Sequence, residues 1–364
     1  MQNIAHNIKE YNPDRQFIDE QNKKIDALKN KLAQLDDNLS EVDFHTKKIS
    51  LFQSIAEEFT KMSEYNSAIE YLYKAIEIFD KFNISEDIKS DILSNIATNY
   101  FFLKNFETSI KIYKEAIEWN EKINMQSEIG DLYLQIGLVY SEQANWEPAI
   151  ESFKTSINWN KISGKEDKNG NVFHSVGNAY LQQKKWNEAH ENYQNAIYWN
   201  EKTNNIDKLK STFFNIRILL SETLSPRKSI KFYQRRLKEY QKAEQLRLTG
   251  IVFFEIALIY HQQNDSKKAL QNFELALEYN TKFDTGYETI NTFYFLAGMY
   301  DNNGDEEKAF EYFTNALKFM LKLEKYEYAG VTVEWLKYSL EDCTNKEIKK
   351  EAEDLIIEAE KRDF

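Results

Sequence analysis

The sequence predicts an all-α chain built from successive pairs of antiparallel helices, and three observations support that fold class. The 364 residues include only 10 glycines and 3 prolines, too few for the special backbone angles of sandwiches, barrels and nucleotide-binding α/β folds. The 6 Trp, 22 Tyr and 24 Phe residues exclude disorder for most of the chain, although 29% of the residues are charged. The third observation is an internal repeat of about forty residues.

The repeat is defined by a small residue that directly follows a large apolar one. We call the position of the small residue the anchor. The anchors are spaced by one step of 41 residues and then by steps of 40. A large apolar or aromatic residue lies four positions before most anchors and sixteen after them, and small residues lie twelve and nineteen after. The anchor positions are Ala56, Ala97, Gly137, Gly177, Arg217, Ala257 and Ala297. Small residues at these places let two helices approach closely while the aromatic residues fill the groove between them.

This pattern resembles the tetratricopeptide repeat (TPR), whose signature is an aromatic residue, Leu-Gly and Tyr, followed by Ala, Phe and Ala, across two antiparallel helices. The resemblance covers about residues 49–328, in seven units that are longer than the usual length of about 34 residues and lack its terminal proline. It implies a right-handed superhelical solenoid in which the first helix of each pair, helix A, lines a concave groove, and the second is helix B.

The two ends of the chain are predicted to be helical segments outside the repeats. Residues 1–48 include a seam of apolar residues over 18–42, mostly at spacings of 3 and 4, with one polar interruption at Gln21. The seam either caps the first repeat or forms a coiled coil that joins copies into a homo-oligomer. Residues 329–364 read as two C-terminal capping helices, with Leu336 and Ile356 on their apolar faces.

Projecting the groove of the TPR family onto this sequence gives a lining that is unusually apolar for a surface. Those positions are Leu134, Leu138, His174, Asn178, Phe214, Ile218, Phe254, Leu258 and Tyr294, with Asp131, Asn171, Ser211 and Asn291 beside them. Our hypothesis is that the groove binds an amphipathic helix or an extended peptide. The alternative is that superhelical winding, or the chain's own N-terminal helix, buries these residues.

Two further patterns allow both a functional and a structural interpretation. Aromatic-Asn pairs at 119–120, 159–160, 199–200 and 279–280 either form a ligand-stacking ladder or extend the core at the end of helix B. In the fifth repeat, residues 207–247 contain 11 basic and 4 acidic residues, although the whole chain has a net charge of −12. This region is either a docking patch for an acidic partner or a degenerate repeat with solvated charges. The residues of the proposed patch are Lys228, Lys231, Arg235, Arg236 and Lys238.

Two arginines of this fifth repeat, Arg217 and Arg236, occupy positions that hold small residues in the other repeats. A guanidinium group cannot be buried there without a partner.

The usual signatures of catalysis are missing from the sequence. It has no Gly-rich phosphate loop and no His-Glu-x-x-His motif, its five histidines are scattered, and its single cysteine is Cys343. We therefore expect no enzymatic activity, no metal site and no cofactor. The acidic net charge disfavours nucleic acid, and no apolar run approaches about 18 residues, so we expect no membrane partner. The sequence shows no secretion signal, which favours the cytoplasm.

The leading functional hypothesis is a non-enzymatic adaptor that recognises a protein or a peptide. The first alternative is a peptide-gated regulator, because the roughly 40-residue repeats after a helical segment resemble bacterial regulators of the Rap type. The second alternative is a structural subunit of an oligomeric assembly.

Overall fold

The computed structural model describes residues 13–35, 39–82, 84, 86–223, 225–282, 286–324 and 329–362. Within these ranges the chain forms seventeen α-helices and two short 3₁₀ helices, and no strand occurs, which confirms the all-α prediction. Residues 1–12 of the predicted N-terminal segment, residues 36–38 of its seam and residues 325–328 before the predicted C-terminal cap lie outside the described residues. The division of the chain at 48 and 328 stays a prediction.

The chain divides into two compact units, one ending at Lys208 and the other beginning at Leu209. The first contains α1 (Pro13–Ala33), α2 (Glu41–Lys61), α3 (Tyr65–Phe82), α4 (Ile88–Phe102), α5 (Phe106–Lys122), α6 (Ile129–Glu142), α7 (Trp146–Ile162), α8 (Asn169–Gln182) and α9 (Trp186–Lys202). Helix α10 (Ile206–Thr223) crosses the boundary. The second unit continues with α11 (Pro226–Lys242), α12 (Leu246–Gln262), α13 (Ser266–Thr281), α14 (Gly286–Asn302), α15 (Glu306–Leu323), α16 (Ala329–Ser339) and α17 (Lys346–Lys361).

Helices α2 to α15 form seven consecutive A and B pairs, as the repeat predicts. The pairs pack through their anchors: Ala56 and Ala97 are buried in the first unit, and Ala257 is buried in the second. A methyl group on Gly177 would lie 2.6 Å from the ring of Tyr193, a separation that carbon atoms cannot adopt without a shift. Glycine at this anchor therefore allows helices α8 and α9 to cross closely.

The turns between helices explain how the chain forms so many of them with few glycines. In the described turns of the seven repeats, one residue adopts the left-handed conformation, seven positions after the anchor between helices A and B and 27 positions after it at the end of helix B. Most of these residues are not glycine: Ser63, Lys104, Asn124, Ala144, Lys184, Asn204, Glu244, Asn264 and Glu324 have positive φ, together with Gly164 and Gly304. After α6, the N–H of Asn145 donates to the carbonyl of Tyr140 at 2.9 Å and closes the turn around Ala144.

Replacing Ala144 by glycine is expected to stabilise the protein by about 0.5–1 kcal/mol. Alanine at φ 55° bears a steric cost that glycine avoids, and this relief exceeds the extra backbone entropy that glycine loses on folding. Chemical denaturation measures the change. Gly304→Ala is the matched control, because Gly304 occupies the equivalent turn with φ 75° and should lose stability on substitution. A destabilised Ala144→Gly variant would contradict this account.

The ends of the chain pack against neighbouring helices. Helix α1 packs on α2 and buries Ile25 and Gln21, while Ile18 and Val42 at the ends of the seam stay exposed. At the other end, α16 and α17 pack on α15 and bury Leu336 and the alanines of α17. Oligomerisation through residues 18–42 stays a prediction, which the solution mass of the protein would test.

The aromatic-Asn pairs lie at the C-terminal ends of B helices. Trp119 is half-buried, packs edge-on against Phe79 and donates its indole N–H to the carbonyl of Glu86 at 2.7 Å, which favours the core-extension interpretation. The four asparagines of the pattern are fully buried: Asn120, Asn160, Asn200 and Asn280. No helix within the described ranges has the length and apolar character needed to cross a bilayer.

A candidate peptide-binding groove

The first unit contains a cavity of about 400 Å³ between the A helices α4, α6 and α8. Leu138 and Asn178, both predicted groove residues, line it side by side with Thr98, each one position after its anchor. Phe102 and Trp146 add aromatic walls that the groove positions of the repeat do not include. The Leu138 side chain is 37% exposed, so the cavity presents apolar surface to solvent.

Whether a floor residue of this cavity is polar or apolar correlates with the aromatic residue of helix B in the same repeat. The hydroxyl of Tyr193 donates to Oδ1 of Asn178 at 2.8 Å, and Tyr113 shares a 2.8 Å hydrogen bond with Thr98. In the repeat between these two, the equivalent residue of helix B is Phe153, which has no hydroxyl group, and the floor residue is Leu138. A buried hydroxyl needs a partner, and in this cavity Thr98 and Asn178 supply it to the two tyrosines, whereas Phe153 needs none.

The second unit contains a cavity of about 330 Å³ between helices α10, α12, α13 and α14. Its apolar floor is formed by Phe214, Phe254 and Ile251, and the Phe214 ring is 48% exposed. The rim includes the polar side chains of Ser211, Asn215 and Asn291. The predicted groove residues Phe214 and Phe254 both line this cavity, together with Ser211 and Asn291.

Two ion pairs neutralise the charges at this second cavity. Nε of Arg217 lies 2.8 Å from Oε2 of Glu255, and the two side chains are only 11% and 7% exposed. Burial raises the pKa of Glu255, and the Arg217 charge acts in the opposite direction. Lys210 and Glu288 form the second pair. Arg217, an arginine at an anchor, thus has the partner that its burial requires, and this partner is Glu255.

The other predicted groove residues are less exposed. Leu134, Ile218, Leu258 and Tyr294 are half-buried, and the hydroxyl of Tyr294 shares a hydrogen bond with Thr332. The His174 ring is only 6% exposed, so it presents little surface to a ligand. Burial, with a smaller effect from the Lys208 charge, lowers the pKa of His174 to about 4. The binding role of all nine predicted residues stays a prediction.

The predicted basic patch lies on helix α11. Lys228, Lys231, Arg235 and Lys238 are exposed, as solvated cations should be. Arg236 is half-buried, and its guanidinium lies 3.3 Å from the carboxylate of Glu239. The docking role of these residues also stays a prediction. Among the described residues, no three His, Cys, Asp or Glu side chains are grouped so that they could hold a metal ion.

Comparison with known proteins agrees with this geometry. The TPR profile matches residues 90–123, and the paired helices, anchors and groove define a TPR-type helical-repeat protein. The profile described as "Soluble NSF attachment protein, SNAP" matches residues 154–348, more than half of the chain. The chain therefore belongs to the soluble NSF attachment protein family. No curated protein sequence matches it significantly.

Solved structures with a TM-score of 0.50 share the fold at low sequence identity, and apo RapI is a weaker match. Aspartyl phosphate phosphatase F from Bacillus subtilis is 14% identical over 76% of this chain and 70% of its own, with a TM-score of 0.50. The apo quorum sensor NprR from B. thuringiensis is 14% identical over 84% of this chain and 83% of its own, also with a TM-score of 0.50. Apo RapI is 13% identical over 76% of this chain and 100% of its own, with a TM-score of 0.48. The fold and the profile matches support a protein-interaction adaptor or regulator.

Proposed function

We propose that the protein is a non-enzymatic TPR adaptor that binds a protein or peptide segment in the groove formed by its A helices. The observation that supports this most directly is the half-exposed Phe214 ring, which lies on the floor of a cavity that polar side chains surround. An apolar floor with a few polar groups at its rim is typical of ligand sites, and exposed apolar surface of this kind marks interaction sites.

The charges at the second cavity favour an uncharged, apolar segment as the ligand. Glu255 and Glu288 are each paired with a basic residue of the same unit, so a ligand charge would have to compete with an existing ion pair. A large apolar side chain covers Phe214 without that competition. The amide of Asn291 offers both a donor and an acceptor, as the backbone of an extended peptide requires.

Substitution of Phe214 by serine is expected to weaken binding of a groove peptide at least about tenfold, because the ligand loses the apolar surface that it covers. The peptides would be selected from a random displayed library against the intact chain, and their affinities measured by calorimetry. The thermal midpoint should change little, because Phe214 is half-exposed. Phe254→Ser is a weaker test, since Phe254 also packs against Phe273 with ring centroids 5.4 Å apart.

Tyr338→Ser is the matched control. Tyr338 lies on α16 in the same unit and is exposed, but it does not line the cavity. Equal affinity for the selected peptides before and after the Phe214 substitution would contradict the proposal. So would an equal loss in the Tyr338 variant.

A peptide-gated regulator is the second candidate, favoured by the fold that this chain shares with the quorum sensor NprR. A regulator differs from an adaptor in that the bound peptide changes a second interaction. Hydrogen exchange with and without a selected peptide distinguishes the two: an adaptor gains protection around the cavity, and a gated regulator also changes elsewhere.

A further inference from the structure

Helix α11 carries a stripe of five basic residues on its exposed side. They are spaced by 3, 4, 3 and 4 residues, so they lie on one face of the helix. The stripe consists of Lys228, Lys231, Arg235, Lys238 and Lys242, and all five residues are exposed. The opposite face holds the helix in place through the buried residues Ile230, Tyr233 and Tyr240.

Within the described part of the chain, a single acidic residue, Glu239, forms an ion pair with this stripe. Glu239 lies 3.3 Å from the guanidinium of Arg235, and it also contacts Arg236. The four lysines of the stripe have no ion-pair partner among the described residues. On the equivalent helix α5, by contrast, the exposed Lys111 and Lys114 alternate with glutamates such as Glu107 and Glu115.

Apart from Lys242, which lies in the favourable last turn, the stripe therefore does not stabilise its own helix. Like charges three and four residues apart destabilise a helix by a few tenths of a kcal/mol per pair. Folding of α11 does not require lysine at the exposed positions of the stripe. Uncharged polar residues such as Gln234 and Gln241 are also exposed on this helix. A ligand of opposite charge would relieve the repulsion between the five basic residues.

We propose that this stripe docks an acidic amphipathic helix of a partner protein, with Asp or Glu residues repeating at spacings of 3 and 4. The stripe extends over 14 helical steps, about 21 Å, with a charge about every 5 Å. Another α-helix that lies along α11 repeats its side chains at the same interval, so each carboxylate can face one basic residue. The pairing would supply orientation and speed of association as well as affinity.

The charge of the rest of the protein argues for a narrow ligand. Residues 207–247 are strongly basic, but the whole chain has a net charge of −12, so all other regions together are strongly acidic. A nucleic acid or an anionic membrane extends well beyond the stripe, and the negative charge of the rest of the chain opposes its binding. A single helix contacts the stripe alone. None of the five residues lines either groove cavity, so this docking does not depend on the proposed groove function.

The test uses the full chain and a synthetic helical peptide of about 21 residues whose glutamates repeat at spacings of 3 and 4. A second peptide has the same composition, but its glutamates are distributed around the helix. We expect the first peptide to bind at least about fivefold more tightly at low salt, with an affinity that falls as salt rises. Charge reversal by Lys231→Glu with Arg235→Glu should weaken its binding at least about tenfold.

Lys111→Glu with Lys114→Glu on α5 is the matched control, because it changes the net charge by the same amount at exposed sites. Circular dichroism verifies that both double variants remain folded. Binding to the control variant within about twofold of wild type supports the proposal. Equal losses in the two variants, equal binding of the two peptides, tighter binding of a DNA duplex or of phosphatidylserine vesicles, or loss of peptide binding in Phe214→Ser would each overturn it.

Discussion

Replacing Arg217 by alanine is expected to lower the free energy of unfolding by about 3–5 kcal/mol at neutral pH. The substitution restores the small anchor residue of the other repeats, so the geometry of the helix crossing favours it. It also leaves Glu255, which is 7% exposed, without the cation that lies 2.8 Å from it. A buried carboxylate without a partner costs more than the improved helix packing contributes, and the charge decides the outcome.

The pH dependence identifies the cause of this loss. Burial already raises the pKa of Glu255 above the ordinary 4.5, and removal of the Arg217 charge raises it further. A carboxyl group whose pKa is higher in the folded state binds its proton more tightly there than in the unfolded chain. Its stabilising effect is therefore greatest below the unfolded pKa, and stability falls as pH rises from that value through the folded pKa. The variant should accordingly lie closer to wild type near pH 4 than at pH 7, as urea denaturation at the two pH values would show.

A double variant separates the charge from the packing. Arg217→Ala combined with Glu255→Gln removes both charges, and Gln135 shows that glutamine occupies the same position in the third repeat. We expect the double variant to regain most of the stability that Arg217→Ala loses. Equal destabilisation of the single and double variants at both pH values would show that the pair does not govern this site.

The ion pair also illustrates which features the sequence predicts. The helix pairs follow from the anchors, because small residues at a constant interval are needed wherever two helices cross closely. The same logic shows that Arg217 needs a partner. It does not identify Glu255, which is 38 residues further along the chain, because that choice depends on how the next pair stacks. The sequence contained one indication of this partner: Glu255 is a charged residue two positions before the next anchor, Ala257.

The repeat register predicts which residues lie on the groove side of each helix A, but their exposure depends on tertiary contacts. Phe214 and Phe254 share a cavity because the first helices of successive pairs lie side by side. His174 has the same register position as Phe214 and Phe254, yet its ring is buried by its surroundings. Register therefore places a residue on the groove side of a helix, but the side chains around it determine how much of it a ligand can touch.

The buried asparagines show a second relation between distant positions. Asn160 and Asn200 each pack against a glycine near the start of helix A in the same repeat, and a methyl group on Gly170 would lie 2.7 Å from Cγ of Asn200. In the seventh repeat the same two places hold Ile290 and Met320, and both are buried. In these repeats, a small residue on helix A thus accompanies asparagine on helix B, and a large apolar residue on helix A accompanies a large apolar residue on helix B.

Gly170→Ile is therefore expected to destabilise the protein by about 3 kcal/mol or more, because the new side chain occupies the space of the Asn200 amide. Adding Asn200→Met should restore much of the loss, since the double variant reproduces the combination found in the seventh repeat. The measurement is a double-mutant cycle by denaturant unfolding, with Asn200→Met alone as the fourth corner.

The sign of the coupling in this cycle decides between two explanations. Steric exclusion predicts that the double variant is more stable than the sum of the single effects by about 1 kcal/mol or more. If the asparagine were instead needed for its own polar contacts, Asn200→Met would destabilise the protein equally with either residue at 170. Additive effects would thus contradict the steric explanation and indicate that the amide stabilises the packing of α9 on its own.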